Sequence, residues 1–266
     1  VLTGLSVVND HAATITFSHA NTGFTGTGTN VGKTMLTALL LRHLRENGQK
    51  ALAMKPFCSG SRADLRILSA LQDHELPERL LNPFYFPKPV APAACDTGVK
   101  ITLKDAVARI AEAKRCCDLL LVEGAGGLMV PIGEDWCVID LVAELKCPVV
   151  IVSPNRLGTL NHTLLTVDAL HRRRIRRQMA VMMNQPRPDA SASTNMQILQ
   201  QKHPLLEALR LPYLGKKAAQ IGELKKNARK LKKAIALVTG FATFCAPSTT
   251  GQQTAPRKVT FSKETF

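Results

Sequence analysis

The sequence predicts an α/β fold: a doubly wound, mainly parallel sheet with helices on both faces, built as a single domain. Three observations predict it. Short apolar runs recur along the chain, each ending in glycine or polar residues. Segments with helical spacing of apolar residues lie between them. A glycine-rich loop running into a helix opens the series. Strands that alternate with helices pair in parallel, because each crossover helix returns the chain to the same end of the sheet. Such strands are covered on both faces, so they read as continuous apolar runs.

The elements follow in order. The loop 23–34 reads Gly-Phe-Thr-Gly-Thr-Gly-Thr-Asn-Val-Gly-Lys-Thr and enters a helix expected over 33–47, apolar across 35–44. Strand 51–54 ends in Lys55-Pro56, and helix 63–72 follows. Helix 103–115 leads into strand 119–122, which ends in Glu123-Gly124-Ala125-Gly126-Gly127. Strand 149–152 ends before Asn155-Arg156-Leu157-Gly158 and precedes helix 159–172. Strand 180–183 ends in Asn184, before helix 194–209. Segment 220–235 spaces Ile221, Leu224, Ala228 and Leu231 as one more helix with a lysine-rich face. Phe17-Ser18-His19-Ala20-Asn21-Thr22-Gly23 makes a poor strand, so the first strand is expected to be missing. Ligands of such sheets collect at the carboxyl ends of the strands, where these polar residues fall.

The loop carries the clearest chemistry. Backbone N–H groups at a glycine-rich turn opening a helix form a phosphate cradle. Lys33 adds a positive charge for the outer phosphates, and the Thr34 hydroxyl is a ligand for Mg²⁺. An ordinary turn before a helix is the bland reading; the Gly-Lys-Thr ending and the apolar helix behind it favour phosphate binding. The general P-loop rule wants four residues between its first glycine and Gly-Lys. Here five lie between Gly26 and Gly32. The fold expected is therefore P-loop NTPase-like, with an unusual loop spacing.

That spacing, together with Gly26-Thr27-Gly28-Thr29-Asn30-Val31-Gly32-Lys33-Thr34, Lys55-Pro56-Phe57-Cys58-Ser59-Gly60, Val122-Glu123-Gly124-Ala125-Gly126-Gly127 and Leu157-Gly158-Thr159-Leu160-Asn161-His162, resembles the dethiobiotin synthetase family. Asn82-Pro83-Phe84 and Pro89-Val90-Ala91-Pro92 resemble further stretches of that family, and the likeness runs in order over about residues 23–215.

The resemblance implies an ATP- and Mg²⁺-dependent cyclo-ligase of biotin biosynthesis. It would carboxylate 7,8-diaminononanoate with CO₂, phosphorylate the carbamate, and close the ureido ring. By the same resemblance Lys33, Lys55, Ser59 and Thr29 are the catalytic set. The nucleotide set is Thr27, Gly28, Asn30, Val31, Gly32, Lys33, Thr34, Met35, Glu123, Gly126, Gly127 and Asn184. Thr29, Lys55, Ser59, Gly126, Arg156, Leu157, Gly158 and Asn161 would hold the diamine, the last four of these including the loop for its distal carboxylate. Thr34, Asp64 and Glu123 would hold Mg²⁺, since hard cations take oxygen ligands. A homodimer is implied, the partner subunit completing the diamine site. The chain departs from the family pattern at Gly28, where an acidic residue is usual, at Asn30, where Glu or Asp is common, and at Lys216-Lys217, where Ile-Pro is expected.

Each assignment has a plainer competitor. Lys55 suits a solvated strand end, and Glu123 a strand cap; the glycines and Ser59 beside them favour a site. Asp64 equally suits the first turn of a helix. Asn184 before Gln185-Pro186 suits a turn, and Asn161 the first turn of an ordinary strand-to-helix connection.

Composition bounds the remainder. The chain has 266 residues, 45% of them hydrophobic, enough for one large domain core. Seven cysteines show no CxxC pairing, and no apolar leader precedes the core, so the expected compartment is the cytoplasm with reduced thiols. Residues 1–22 and 240–266 lack clear pattern and are expected to be poorly ordered extensions of the ligase domain 23–239. The net charge of +15 concentrates in Arg172-Arg173-Arg174-Ile175-Arg176-Arg177 and in 216–233. Contact with nucleic acid or a membrane surface is the less favoured reading of these clusters; a solvated face is the simpler one. Two other functions stay open. One is a P-loop ATPase acting as a partitioning or positioning switch, against which stands the absence of a second lysine early in the loop. The other is a nucleotide-binding homologue without turnover, suggested by Gly28, Asn30 and the missing first strand.

Overall fold

The computed structural model describes residues 20–95 and 100–243. Its elements in chain order are β1 (Ala20–Gly26), α1 (Lys33–Glu46), β2 (Ala51–Met54), β3 (Phe57–Ser59), α2 (Ala63–Leu71), α3 (Glu78–Leu81), β4 (Phe84–Phe86), α4 (Leu103–Lys114), β5 (Leu119–Gly127), α5 (Val138–Leu145), β6 (Val149–Asn155), α6 (Thr159–Arg172), β7 (Gln178–Asn184), α7 (Asn195–Lys202), β8 (Glu207–Leu211), α8 (Ile221–Lys230) and α9 (Lys232–Thr243). A six-stranded sheet runs β2-β5-β1-β6-β7-β8, and every pairing in it is parallel. β3 and β4 pair in parallel as a separate two-stranded sheet.

Burial explains why the central strands are apolar without alternation. Leu119 to Val122 and Val149 to Val152 are all buried, as are Ala51 to Met54. Helix α1 turns Leu36, Leu39, Leu40 and Leu44 into this core and packs against α2, α8 and α9. Each such leucine contributes about 2 kcal/mol on leaving water. Helix α4 packs on α3 and α5, and α6 on α7. Local chemistry sets the start of α4, where Thr102 and Asp105 form a reciprocal capping box.

The missing first strand is a correction. Residues 20–26 form β1, the centre of the sheet, paired to β5 on one side and β6 on the other. One of its polar residues finds a tertiary partner: the Thr22 hydroxyl donates to Ala242 O at 2.9 Å. The domain edges also shift. Ala20 begins a core strand and residues 240–243 close α9, where Phe241 and Ala242 are buried; residues 1–19 and 244–266 lie outside the described residues.

Two further expectations change. Helix 194–209 stops at Lys202, and Glu207–Leu211 is the edge strand β8. Pro204 disfavours helical backbone at His203, which sits at φ −133° and ψ 76°. Segment 220–235 is two helices that break at Leu231, a buried residue at the junction of α8 and α9. The other helices and strands named from the sequence stand within one or two residues at their starts, apart from strand 180–183, which extends to both sides as β7.

Candidate functional site

The loop after β1 is shaped by two glycines. A Cβ on Gly26 would fall 2.7 Å from Gly28 O and 2.8 Å from the Lys33 ammonium, so no larger residue fits. Gly32 caps α1 at φ 102°, a left-handed conformation that favours glycine. Between them Asn30 adopts φ 56°, which asparagine tolerates. Thr27 N–H donates to Val152 O at 3.0 Å, so its backbone donor continues the sheet and is not offered to a ligand.

A cleft of about 830 Å³ opens above the carboxyl ends of β1, β2 and β5. Thr29, Asn30, Gly32, Lys33, Thr34 and Met35 line it from the loop and α1. Lys55, Ser59 and Asp64 line it from the β2–α2 region, and Glu123 and Gly126 from β5. Eleven residues singled out from sequence thus converge from segments that are far apart in the chain. Its size suits a small-molecule site.

Charge is concentrated at the floor. Lys55 Nζ donates to Glu123 Oε1 at 2.9 Å and also to Asp64 Oδ2. Thr34 Oγ1 donates to the same Glu123 Oε1 at 2.7 Å. Glu123 is fully buried, and its second oxygen, Oε2, has no hydrogen-bond partner among the described residues. Burial works against the Lys55 charge, but Glu123 and then Asp64 outweigh it and hold this lysine above its ordinary range. Lys33 behaves oppositely. Burial pushes its ammonium down to about 8 against the pull of Glu123. Lys33 Nζ meanwhile donates to Gly28 O at 2.8 Å, folded over its own loop. Burial thus disfavours the Lys33 charge, a cost that an anion beside it would offset.

The walls explain motifs whose role the sequence left open. Asn82 Nδ2 donates to Lys55 O at 2.8 Å and Pro56 O at 3.2 Å, clamping the strand end that presents Lys55. Gln72 bonds Ala53 N–H at 2.8 Å and Ala53 O at 3.1 Å, tying α2 and its Asp64 to β2. Phe57 stacks on Phe84 at 5.3 Å and meets the edge of Trp136 at 5.8 Å, forming an apolar wall. Pro89, Val90, Ala91 and Pro92 close the far side. Sequence reasoning missed Gln72, Phe57 as a wall, Ile67, Val130 and Ala219; only Gln72, a buried polar residue at a helix end, had a chemical signal at all.

Some expected residues stand elsewhere. Val31 is buried beneath the loop, and Gly28 and Gly127 sit beside the cleft without lining it. Asn184, at the end of β7, accepts from Asn155 Nδ2 at 2.9 Å and does not line the cleft. Arg156, Leu157 and Gly158, on the exposed connection after β6, and Asn161, in the first turn of α6, lie outside it, with Leu157 81% exposed.

The donor set suits Mg²⁺. Among the described residues no group of three His, Cys, Asp or Glu side chains converges. The carboxylates of Asp64 and Glu123, the latter with its Oε2 bare, and the Thr34 hydroxyl stand beside the loop. Mg²⁺ keeps several waters and takes one or two carboxylates together with substrate phosphates, so this sparse oxygen set fits it.

A parallel sheet with a glycine loop feeding α1, and a lysine above it, defines a P-loop NTPase-like protein. Comparison with solved structures agrees on fold. A protein described as a plasmid partition protein, from Borrelia burgdorferi B31, matches at TM-score 0.53 with 10% identity, covering 82% of this chain and 99% of that one. The MinC:MinD cell division complex of Aquifex aeolicus gives 0.50 with 16% identity, covering 80% and 96%. A family model described as an AAA domain matches residues 24–220. An ATP-dependent dethiobiotin synthetase of Sulfurovum sp. (strain NBC37-1) is 42% identical over 160 residues, covering 57% of this chain and 76% of its own length. That of Mycolicibacterium gilvum (strain PYR-GCK) is 37% identical over 196 residues, covering 70% and 84%. The chain belongs to the dethiobiotin synthetase family.

Proposed function

We propose that the chain is an ATP- and Mg²⁺-dependent dethiobiotin synthetase, which converts 7,8-diaminononanoate and CO₂ to dethiobiotin with release of ADP and phosphate. The single observation that carries this is the convergence of Lys33, Thr34, Lys55, Asp64 and Glu123 over the glycine loop in one cleft. The names of the relatives support it.

The residues divide the work. One amine of the diamine adds to CO₂, giving a carbamate. A carbamate oxygen attacks the γ-phosphorus of ATP, ADP leaves, and a carbamic-phosphoric anhydride remains. The second amine attacks its carbonyl carbon, phosphate departs, and the ureido ring closes. Phosphoryl transfer needs positioning and neutralised oxygens more than covalent help from the protein. Lys33 neutralises the β and γ phosphates from the loop side. Lys55 faces the carbamate and transferring group from the β2 side. Thr29 and Ser59 hydrogen-bond the carbamate, and Gly126 leaves room for backbone donors to approach. Thr34, Asp64 and Glu123 would hold Mg²⁺, which when bound supplies charge neutralisation between the phosphates.

The same reading places the enzyme in the cytoplasm as a homodimer. Arg156, Leu157, Gly158 and Asn161 would receive the distal carboxylate of the diamine bound mainly in the partner subunit, as their exposure outside their own cleft suits. Among the described residues no helix is long and apolar enough to cross a membrane.

The test is ADP release with Mg·ATP and bicarbonate, with and without the diamine. Strict diamine dependence, with dethiobiotin formed in step, is the expected result. Turnover without the diamine, or nucleotide binding without any turnover, would remove the assignment.

A further inference from the structure

Three residues that the site described so far does not use form a connected support under the 156–158 connection. Asn155, the last residue of β6, is 1% exposed, and Asn195, the first of α7, is 2% exposed. Asn195 Nδ2 donates to Asn155 Oδ1 at 3.0 Å, to Ser191 Oγ at 3.1 Å and to Arg156 O at 3.4 Å. Asn155 Nδ2 donates to Ala192 O at 3.0 Å and to Asn184 Oδ1 at 2.9 Å. From the other side Asp189 Oδ2 accepts Leu157 N–H at 2.8 Å, while its Oδ1 accepts from Ser191 N–H at 3.0 Å and Ser191 Oγ at 2.6 Å.

The backbone is therefore tied at the Arg156 carbonyl and at the Leu157 N–H, while the side chains above it are exposed. A plain link from β6 to α6 needs none of this. Burying amides is unfavourable unless each is bonded, and this network meets that condition. What it achieves is order: a loop whose conformational freedom is lost on folding does not lose it again when a ligand binds.

We propose that Asp189, Asn195 and Asn155 are positioning residues for the distal carboxylate of the diamine, acting through the backbone of residues 156–158. The proposal rests on the reading of that loop given under Proposed function. Asp189 is the better handle, because it is exposed and its loss leaves the core intact.

The experiment is steady-state kinetics of the full chain with 7,8-diaminononanoate and with its methyl ester, which lacks the anionic end. Asp189→Ala is expected to raise KM for the diamine about tenfold, the effect of one lost charge-assisted hydrogen bond. Its kcat and its KM for ATP stay within about twofold, as does its KM for the ester. Asp189→Asn, which keeps an acceptor for Leu157 N–H, restores most of the diamine KM. Equal losses for diamine and ester, a fall in kcat alongside KM, or an unchanged diamine KM would each overturn the proposal. Arg156→Ala separates the two levels. If it raises the diamine KM while Asp189→Ala does not, positioning fails and the loop reading stands. If it leaves the diamine KM unchanged, the loop reading fails and takes the proposal with it.

Discussion

Lys55 and Glu123 form a buried charge pair: Nζ stands 2.9 Å from Oε1, and the Glu123 side chain has no exposure to solvent. Asp64 holds the same ammonium from the cleft side. The three groups lie just after β2, on α2 and on β5, so the pair also fastens the floor of the site together.

Removing one partner strands the other. Lys55→Met is expected to cost about 3 kcal/mol in urea unfolding, because an uncompensated carboxylate remains buried. Adding Glu123→Gln should recover part of that loss, as a double-mutant cycle would read out. Lys55 and a divalent ion also want the same oxygens. Mn²⁺ titrated without nucleotide should therefore bind Lys55→Met more tightly than the parent, followed by electron paramagnetic resonance. Unchanged or weaker binding would show that Lys55 does not compete for the metal oxygens.

Lys33 is the contrasting case. Burial has already pushed its ammonium down to about 8, so the charge is a burden to the unliganded fold. Lys33→Ala should abolish phosphoryl transfer, by about 10³-fold or more in kcat/KM, as it removes charge stabilisation from the transferring group. Its unfolding free energy should stay within about 1 kcal/mol of the parent. Near-normal ADP release from that variant would exclude Lys33 from the chemistry.

Gly26→Ala tests the loop by sterics alone. The added methyl meets Gly28 O, the Val31 side chain and the Lys33 ammonium, each at 2.8 Å or less. Backbone has to move, so ADP binding measured by calorimetry should fall below detection while the far-ultraviolet circular dichroism is kept.

Cys147 gives the pH prediction. Burial pushes its thiol from 9.0 up to about 11. Between those values the unfolded chain has lost the proton and the native state has kept it, so native protein binds more protons and stability falls as pH rises. The contribution is complete below pH 9 and is lost through pH 11, about 3 kcal/mol in all. Cys147→Ala should flatten that part of the stability profile; an unchanged slope would assign it to other groups.

Much of the site was readable because phosphate chemistry depends on local geometry. Gly26, Gly32, Lys33 and Thr34 sit within one loop, and the need for free backbone donors beside a lysine is written into adjacent residues. Lys55 and Glu123 were readable as polar residues at the ends of apolar runs. Helix 194–209 was misjudged because the weight of apolar spacing hid Pro204, and the N-terminal strand because its small polar residues carry no strand signal of their own. Asn155, Asn195 and Asp189 gave no sign, since an asparagine in a connection reads the same whether it is solvated or tied into a buried network.

By itself the sequence determined the parallel α/β architecture, the phosphate loop and the family, for each follows from residues that are neighbours in the chain or from runs with one period. Only the tertiary structure decided that Ala20–Gly26 is the central strand, that Lys55 lies between Asp64 and Glu123, and which residues hold the 156–158 connection. Those outcomes depend on burial and on partners distant in sequence. A β1 threonine is stable in the core because α9 supplies an acceptor, and a lysine keeps its charge there because two carboxylates meet it.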